Sequence, residues 1–266
     1  MSSTDPAGSR DFYAGLFGWT YEIDAYSGRG HYATALLGGW PVAGVVGVPV
    51  VARQPVAWSL YLASANIHYT AGVFRRGGGL VLSGPVDVPR QGRWFGGADP
   101  TGAEVRFWQP AKRWEFHTTD PGSLYWAELN TWDGAGADKF FASLFGYRQQ
   151  QFGDGIEVDY AIWSVGGRTI LGRLQMDEGW AAPDVAAHWM LHFAVDPHTG
   201  TDEAVTRVLE LGGEVDVDPY DTELGRIARV IDPFGAAFAL IDSTDRLEPA
   251  TDLSAGSARV DDPYDD

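Results

Sequence analysis

Apolar side chains recur along the chain with two alternating periods. Ala137, Phe140, Phe141, Leu144 and Phe145 fall at i, i+3, i+4, i+7 and i+8, which predicts an amphipathic helix that stops at Gly146. Ser9, Phe12, Tyr13, Leu16 and Phe17, followed by Gly18, repeat that stripe. Downstream the period shortens. Tyr160 to Val165 and Thr169 to Leu174 are short runs rich in β-branched and aromatic residues, separated by a Gly pair, and predict strands joined by a hairpin. A strand from Trp189 to Val195 then precedes a second helix, Thr201 to Leu211, with a counterpart near Asn66 to Arg76, and three strands follow each.

The pattern is a repeat. Phe12-Tyr13-Ala14-Gly15-Leu16-Phe17-Gly18-Trp19 recurs as Phe140-Phe141-Ala142-Ser143-Leu144-Phe145-Gly146-Tyr147, an offset of 128. At the same offset His31-Tyr32-Ala33 matches Asp159-Tyr160-Ala161, and Gly38-Gly39 matches Gly166-Gly167. Trp58 to Ala63 resembles Trp189 to Ala194 at offset 131, and Asp99-Pro100-Thr101-Gly102 matches Asp232-Pro233-Phe234-Gly235 at offset 133. Preserved order with small insertions is what a duplicated fold requires. Each half reads as two strand-helix-strand-strand-strand units.

Composition narrows the function. There is no cysteine, which excludes a disulfide framework and a thiolate metal site. The net charge of −17 disfavours nucleic acid and anionic membrane surfaces as partners. No apolar run approaches a membrane span, and the N-terminus lacks a signal-peptide pattern, so the expected location is the cytoplasm. The charge is lopsided: residues 1–110 hold 8 basic and 7 acidic groups, and the remainder holds 11 and 29. Residues 243–266, dominated by Gly, Ser, Pro and acids, read as a disordered acidic tail.

The helix phrase in two copies, in register with two Asp-Pro-x-Gly phrases, resembles the vicinal oxygen chelate superfamily, the group of glyoxalase I, bleomycin resistance proteins and extradiol dioxygenases. The resemblance covers residues 1–242. It implies an α+β fold of tandem βαβββ units paired into two glyoxalase-like lobes, each curling into a cup with a ligand site on its concave face. The expected boundaries are residues 1–110 and 123–242 for the lobes, with a linker over 111–122. The second half opens with a strand, Ser123 to Asn130, whose first-half counterpart would mostly precede Met1. The first strand of the N-terminal lobe is therefore expected to be missing, with the start placed too late as the favoured explanation.

Metal-using relatives take His, Gln or Glu from the first and last strands of a unit. Aligned with those positions here are Trp126, Met190 and Ser59 on first strands, and Arg106 and Ala239 on last strands. None is a good ligand, so neither metal nor other cofactor is expected. His188 and His192 share a strand face with Met190, and with Glu128 they form the one conceivable, unusual triad. His31, His68, His117 and His198 are isolated, and Gly77-Gly78-Gly79 lacks the sequel of a phosphate loop.

The expected binding residues are Ser59, Tyr61, Arg106 and Trp108 in the first cup and Trp126, Glu128, His188, Met190 and His192 in the second. Aromatic walls suit flat or cationic organic molecules. Arg106, on the face of Trp108, suits an anionic or phenolate oxygen. Glu128, on the face of Trp126, suits a cation or acts as a base. Three readings follow: a metal-independent binding protein for a small organic ligand; a metal-independent enzyme (lyase, isomerase or hydroxylase-like) using Glu128, His192 or Arg106; and, ranked last, a metal-dependent lyase or dioxygenase. A monomer or homodimer fits two lobes in one chain. The loops Pro49 to Pro55 and Gln175 to Val185 are expected to shape the pockets.

Overall fold

Helix α1 (Pro6–Phe17) opens with Pro at its first position and with Asp5 accepting from the Gly8 amide, and helix α3 (Gly134–Phe145) repeats the cap with Asp133 and the Gly136 amide. Both stop at a left-handed glycine, Gly18 at φ 71° and Gly146 at φ 68°, a conformation that a side chain would strain. The computed structural model describes residues 1–24, 32–49, 56–112, 116–118, 120–152, 155, 158–179 and 181–243. His31, the loop 50–55 and the tail beyond Ser243 lie outside the described residues.

Four βαβββ units follow one another. The first is β1 (Ser2–Ser3), α1, β2 (Thr20–Asp24), β3 (Tyr32–Leu37) and β4 (Trp40–Gly47). The second is β5 (Tyr61–Ala63), α2 (Ile67–Arg76), β6 (Leu80–Val88), β7 (Gly92–Ala98) and β8 (Glu104–Pro110). The third is β9 (Leu124–Thr131), α3, β10 (Arg148–Phe152), β11 (Tyr160–Val165) and β12 (Arg168–Gln175). The fourth is β13 (His188–Ala194), α4 (Gly200–Glu210), β14 (Glu214–Thr222), β15 (Gly225–Ile231) and β16 (Ala237–Asp242). No helix among the described residues is long and apolar enough to cross a membrane.

In the second half the third and fourth units fuse into one eight-stranded sheet, ordered β10-β11-β12-β9-β13-β16-β15-β14, through the antiparallel β9/β13 pair. The first half instead has two four-stranded sheets, β1-β4-β3-β2 and β5-β8-β7-β6, with an isolated bridge from Ser2 of β1 to Ala57, ahead of β5. Its first strand is a two-residue remnant rather than wholly missing. Ser2 and Ser3 pair with Val46 and Gly47, as Asn130 and Thr131 at the end of β9 pair with Leu174 and Gln175. Met1 continues the ladder, its carbonyl accepting from the Val46 amide at 2.9 Å.

One face of every sheet packs on helices, and these faces merge into a core shared by both halves. Helix α1 reaches across: Phe17 stacks on Phe193 at 5.4 Å and Phe12 meets Phe238 edge-on at 6.4 Å. Helix α3 reciprocates, with Phe140 against Phe74 at 5.2 Å and Phe145 against Phe107 at 5.9 Å. Inside the second half, the buried Arg173 of β12 pairs with Asp138 of α3 at 2.8 Å and with Asp159 at 2.8 Å. The Trp163 indole also donates to Asp138.

Candidate functional site

Alternation along β9 and β13 sends Ala127, Leu129, Leu191 and Phe193 into the helix-side core and leaves Trp126, Glu128, Met190 and His192 on the opposite face, the one expected to be concave. The antiparallel register sets Glu128 opposite Met190 and Trp126 opposite His192, a two-by-two block at the centre of the eight-stranded sheet. Gly172 of β12 flanks Glu128, and Ala239 of β16 flanks His192.

A hydrogen-bonded chain runs through this block. The Trp126 indole donates to the Tyr160 hydroxyl at 2.7 Å, and that hydroxyl donates to Glu128 Oε2 at 3.1 Å. The other carboxylate oxygen lies 3.6 Å from His192 Nε2, within ion-pair reach but beyond a hydrogen bond. Burial would lift the Glu128 carboxyl, yet His192, Tyr160 and Asn130 together hold it below the usual carboxylate range. Burial and then the Glu128 charge push Tyr160 well above the ordinary phenol range, so it remains the donor. Gly172 makes room for the chain: a Cβ there would come within 2.1 Å of the Tyr160 hydroxyl and 2.8 Å of the Trp126 nitrogen.

His192 is only 3% exposed, and neither ring nitrogen has a hydrogen-bond partner. Around it Met190, Ile227, Ala239 and Ile241 form one buried cluster, and Trp126, Tyr160 and Ile162 form another. Leu224, in the turn between β14 and β15, packs on both, as does Tyr125. His188 does not join the block. At the start of β13 its Nδ1 lies 2.9 Å from the Ala186 carbonyl oxygen, so the triad of His188, His192 and Glu128 is not assembled.

A metal ion held by oxygen and imidazole ligands needs at least three protein donors. Glu128 and His192 supply two, and the flanking positions are Gly172 and Ala239, which supply none. Among the described residues no three His, Asp or Glu side chains come together. The residues present do not fit a metal centre.

The first half carries different chemistry on the equivalent face. Tyr61 of β5 lies beside Arg106 of β8, where the second half has His192 beside Ala239. Arg106 Nη1 donates to the Tyr61 hydroxyl at 2.9 Å, and the guanidinium lies 5.6 Å from the Tyr61 ring and 5.8 Å from the Trp94 ring. Trp108 shares the Arg106 side of β8 and is half-buried, and Trp94 pairs with it across β7. Tyr32 covers Gly44 here as Tyr160 covers Gly172, and burial raises its hydroxyl pKa. Ser59, half-buried just before β5, joins none of these contacts.

Sequence reasoning missed Tyr160, Asn130, Tyr32 and Trp94. The repeat did mark Tyr32 and Tyr160 as equivalent, but their place on this face emerges only with the register of β3 and β11.

No family model matches the chain. It is 33% identical over 257 residues to the anthracycline biosynthesis protein DnrV of Streptomyces peucetius, covering 91% of this chain and 90% of that protein. It is 30% identical over 247 residues to the putative glyoxylase CFP32 of Mycobacterium tuberculosis, covering 91% and 92%. Among solved structures, the Mn(II)-bound glyoxalase from Novosphingobium aromaticivorans matches with a TM-score of 0.59 at 14% identity, over 92% of this chain and 81% of that one. The 2,3-dioxygenase LapB from a Pseudomonas species matches with a TM-score of 0.58 at 12% identity, over 90% and 88%. At that identity the structural likeness is one of fold, and the sequence relatives supply the kinship. The chain belongs to the glyoxalase-like, vicinal oxygen chelate family.

Proposed function

We propose that this chain is a metal-independent member of its family that binds a flat aromatic small molecule against the concave face of its second half. The observation that carries the reading is the His192 imidazole, buried with neither nitrogen hydrogen-bonded and with Nε2 3.6 Å from Glu128. An unmade hydrogen bond at a buried polar group costs about 1–3 kcal/mol, and a ligand oxygen placed against the ring removes that cost. Trp126, Tyr160 and Met190 offer the apolar and π surface on which a flat ring system rests. The relatives named for anthracycline biosynthesis point to fused-ring aromatic polyketides as the ligand class.

The test is a tryptophan-emission titration of chelator-treated protein with an anthracycline aglycone. Saturable quenching, with affinity lowered about tenfold or more in His192→Phe, supports the reading. Binding that appears only when a divalent metal is added back, or that ignores the His192 change, rejects it.

A second reading, a metal-independent enzyme, rests on the paired carboxylate and imidazole. Tyr160 occupies one oxygen of Glu128 and leaves the other facing His192, an arrangement suited to moving a proton on a bound enol or phenol. Turnover of the bound ligand, retained binding and lost turnover in Glu128→Gln would select it over simple sequestration.

A further inference from the structure

We propose that the concave face of the first half is a second, separate site, which takes a flat aromatic anion with Arg106 as its counter-charge. Basic groups are scarce in this chain. The chain carries 36 acidic against 19 basic side chains, and Arg93, Arg173, Arg207, Arg226 and Arg229 each pair with a carboxylate. Arg106 is half-buried on a sheet face, and among the described residues no carboxylate pairs with it. A guanidinium has five N–H donors in a planar fork, and the Tyr61 hydroxyl takes one of them.

The surroundings shape what the remaining donors meet. Tyr61 and Trp94 place two π faces beside the cation, and Trp108 lies two residues further along β8 on the same side. Gly96 pairs with Arg106 across β7, so no side chain from that position stands over the guanidinium. A planar fork flanked by aromatic rings matches a carboxylate or phenolate carried on a flat ring system, which stacks while its oxygens meet the fork. The second half has Ala239 at the Arg106 position, so this chemistry belongs to the first half alone.

The probe is 2-naphthoate, titrated by tryptophan emission against the full chain, with 2-naphthalenemethanol as its uncharged counterpart. The expected result is saturable quenching by the anion, at least tenfold weaker binding of the alcohol, and a loss of about tenfold or more in Arg106→Met, with Arg106→Lys between Met and the native residue. Circular dichroism and thermal melts confirm that each variant folds. No naphthoate binding up to ~1 mM, equal affinity for acid and alcohol, or full affinity in a folded Arg106→Met protein each overturns the proposal. The aglycone titration of the second-half site is run on the same variants. Aglycone binding that persists in Arg106→Met while naphthoate binding is lost shows two sites, and naphthoate binding without aglycone binding leaves this site standing while the second-half reading falls.

Discussion

The two halves of this chain share one fold and differ in the chemistry at the centres of their sheets. Both keep a tyrosine lying over a glycine, Tyr32 on Gly44 and Tyr160 on Gly172. Both keep an Asp-Pro-x-Gly turn whose aspartate accepts two backbone amides two and four residues on. At the sheet centres they part: an acid and an imidazole in one half, a half-exposed arginine between aromatic rings in the other. The lesson is where the fold's demands end. Positions that hold a turn or clear space for a ring stay alike, and positions that only face the cup are free to diverge.

The same comparison applies at the contact between halves. Tyr13 of α1 receives a hydrogen bond from the Trp58 indole at 2.9 Å and donates one to Asp232 at 3.0 Å. Its counterpart on α3 is Phe141, which has no hydroxyl. There the Trp189 indole nitrogen and Asp99 Oδ2, the counterparts of Trp58 and Asp232, are buried without partners, and burial raises the Asp99 carboxyl pKa.

Three changes break or sharpen this comparison. The largest effect is expected at Asp138→Ala, which strips a buried arginine of its main partner and costs about 3–5 kcal/mol in a denaturant titration. The first half has Arg10 and Val45 at the equivalent positions, so adding Arg173→Val to Asp138→Ala removes the stranded charge and should recover part of the loss. No recovery would mean that the ion pair is not the source.

A smaller and opposite effect is expected at Phe141→Tyr. The added hydroxyl bridges Trp189 and Asp99 as Tyr13 bridges Trp58 and Asp232, for a gain of about 1 kcal/mol and a rise in melting temperature. A loss of stability would show that the second site is too tightly packed for the extra atom. The smallest effect concerns pH. The folded Glu128 carboxyl sits below its ordinary range, so its stabilising contribution is full above that range and fades as pH falls through the folded pKa. The stability gap between the native protein and Glu128→Gln should therefore narrow between neutral and acid pH, and a gap that widens on acidification contradicts the assignment.

Helices and strands were legible because each rests on a local signal: the stripe ending at Gly146, the Gly pair between β11 and β12, the doubled turn phrase. Alternation also placed Trp126 with Glu128, and Arg106 with Trp108, on common faces. What stayed hidden depends on register between distant strands. Nothing near Tyr160 announces that its hydroxyl ends on Glu128, and nothing near Trp94 announces that its ring lies beside Arg106. The Asp138–Arg173 pair joins residues 35 apart and is equally silent in one dimension. His188 shares strand parity with His192 but makes its contact locally, its Nδ1 lying 2.9 Å from the Ala186 carbonyl oxygen.

The reciprocal reach of α1 and α3 gives the two halves the character of a heterodimer written as one chain. Each half brings one aromatic group and one aspartate: Tyr13 donates to Asp232, and the equivalent residues of the repeat are Phe141 and Asp99. Two copies of the second half alone would set phenylalanine against Asp232 twice and leave that aspartate without the hydroxyl it accepts from in the native chain, whereas two copies of the first half would set tyrosine against Asp99 twice, the contact that Phe141→Tyr builds. Joining the two halves in one chain thus does more than raise local concentration: it sets each half against an unlike partner, and keeps Arg106 of one half and the Glu128–His192 pair of the other in a single molecule.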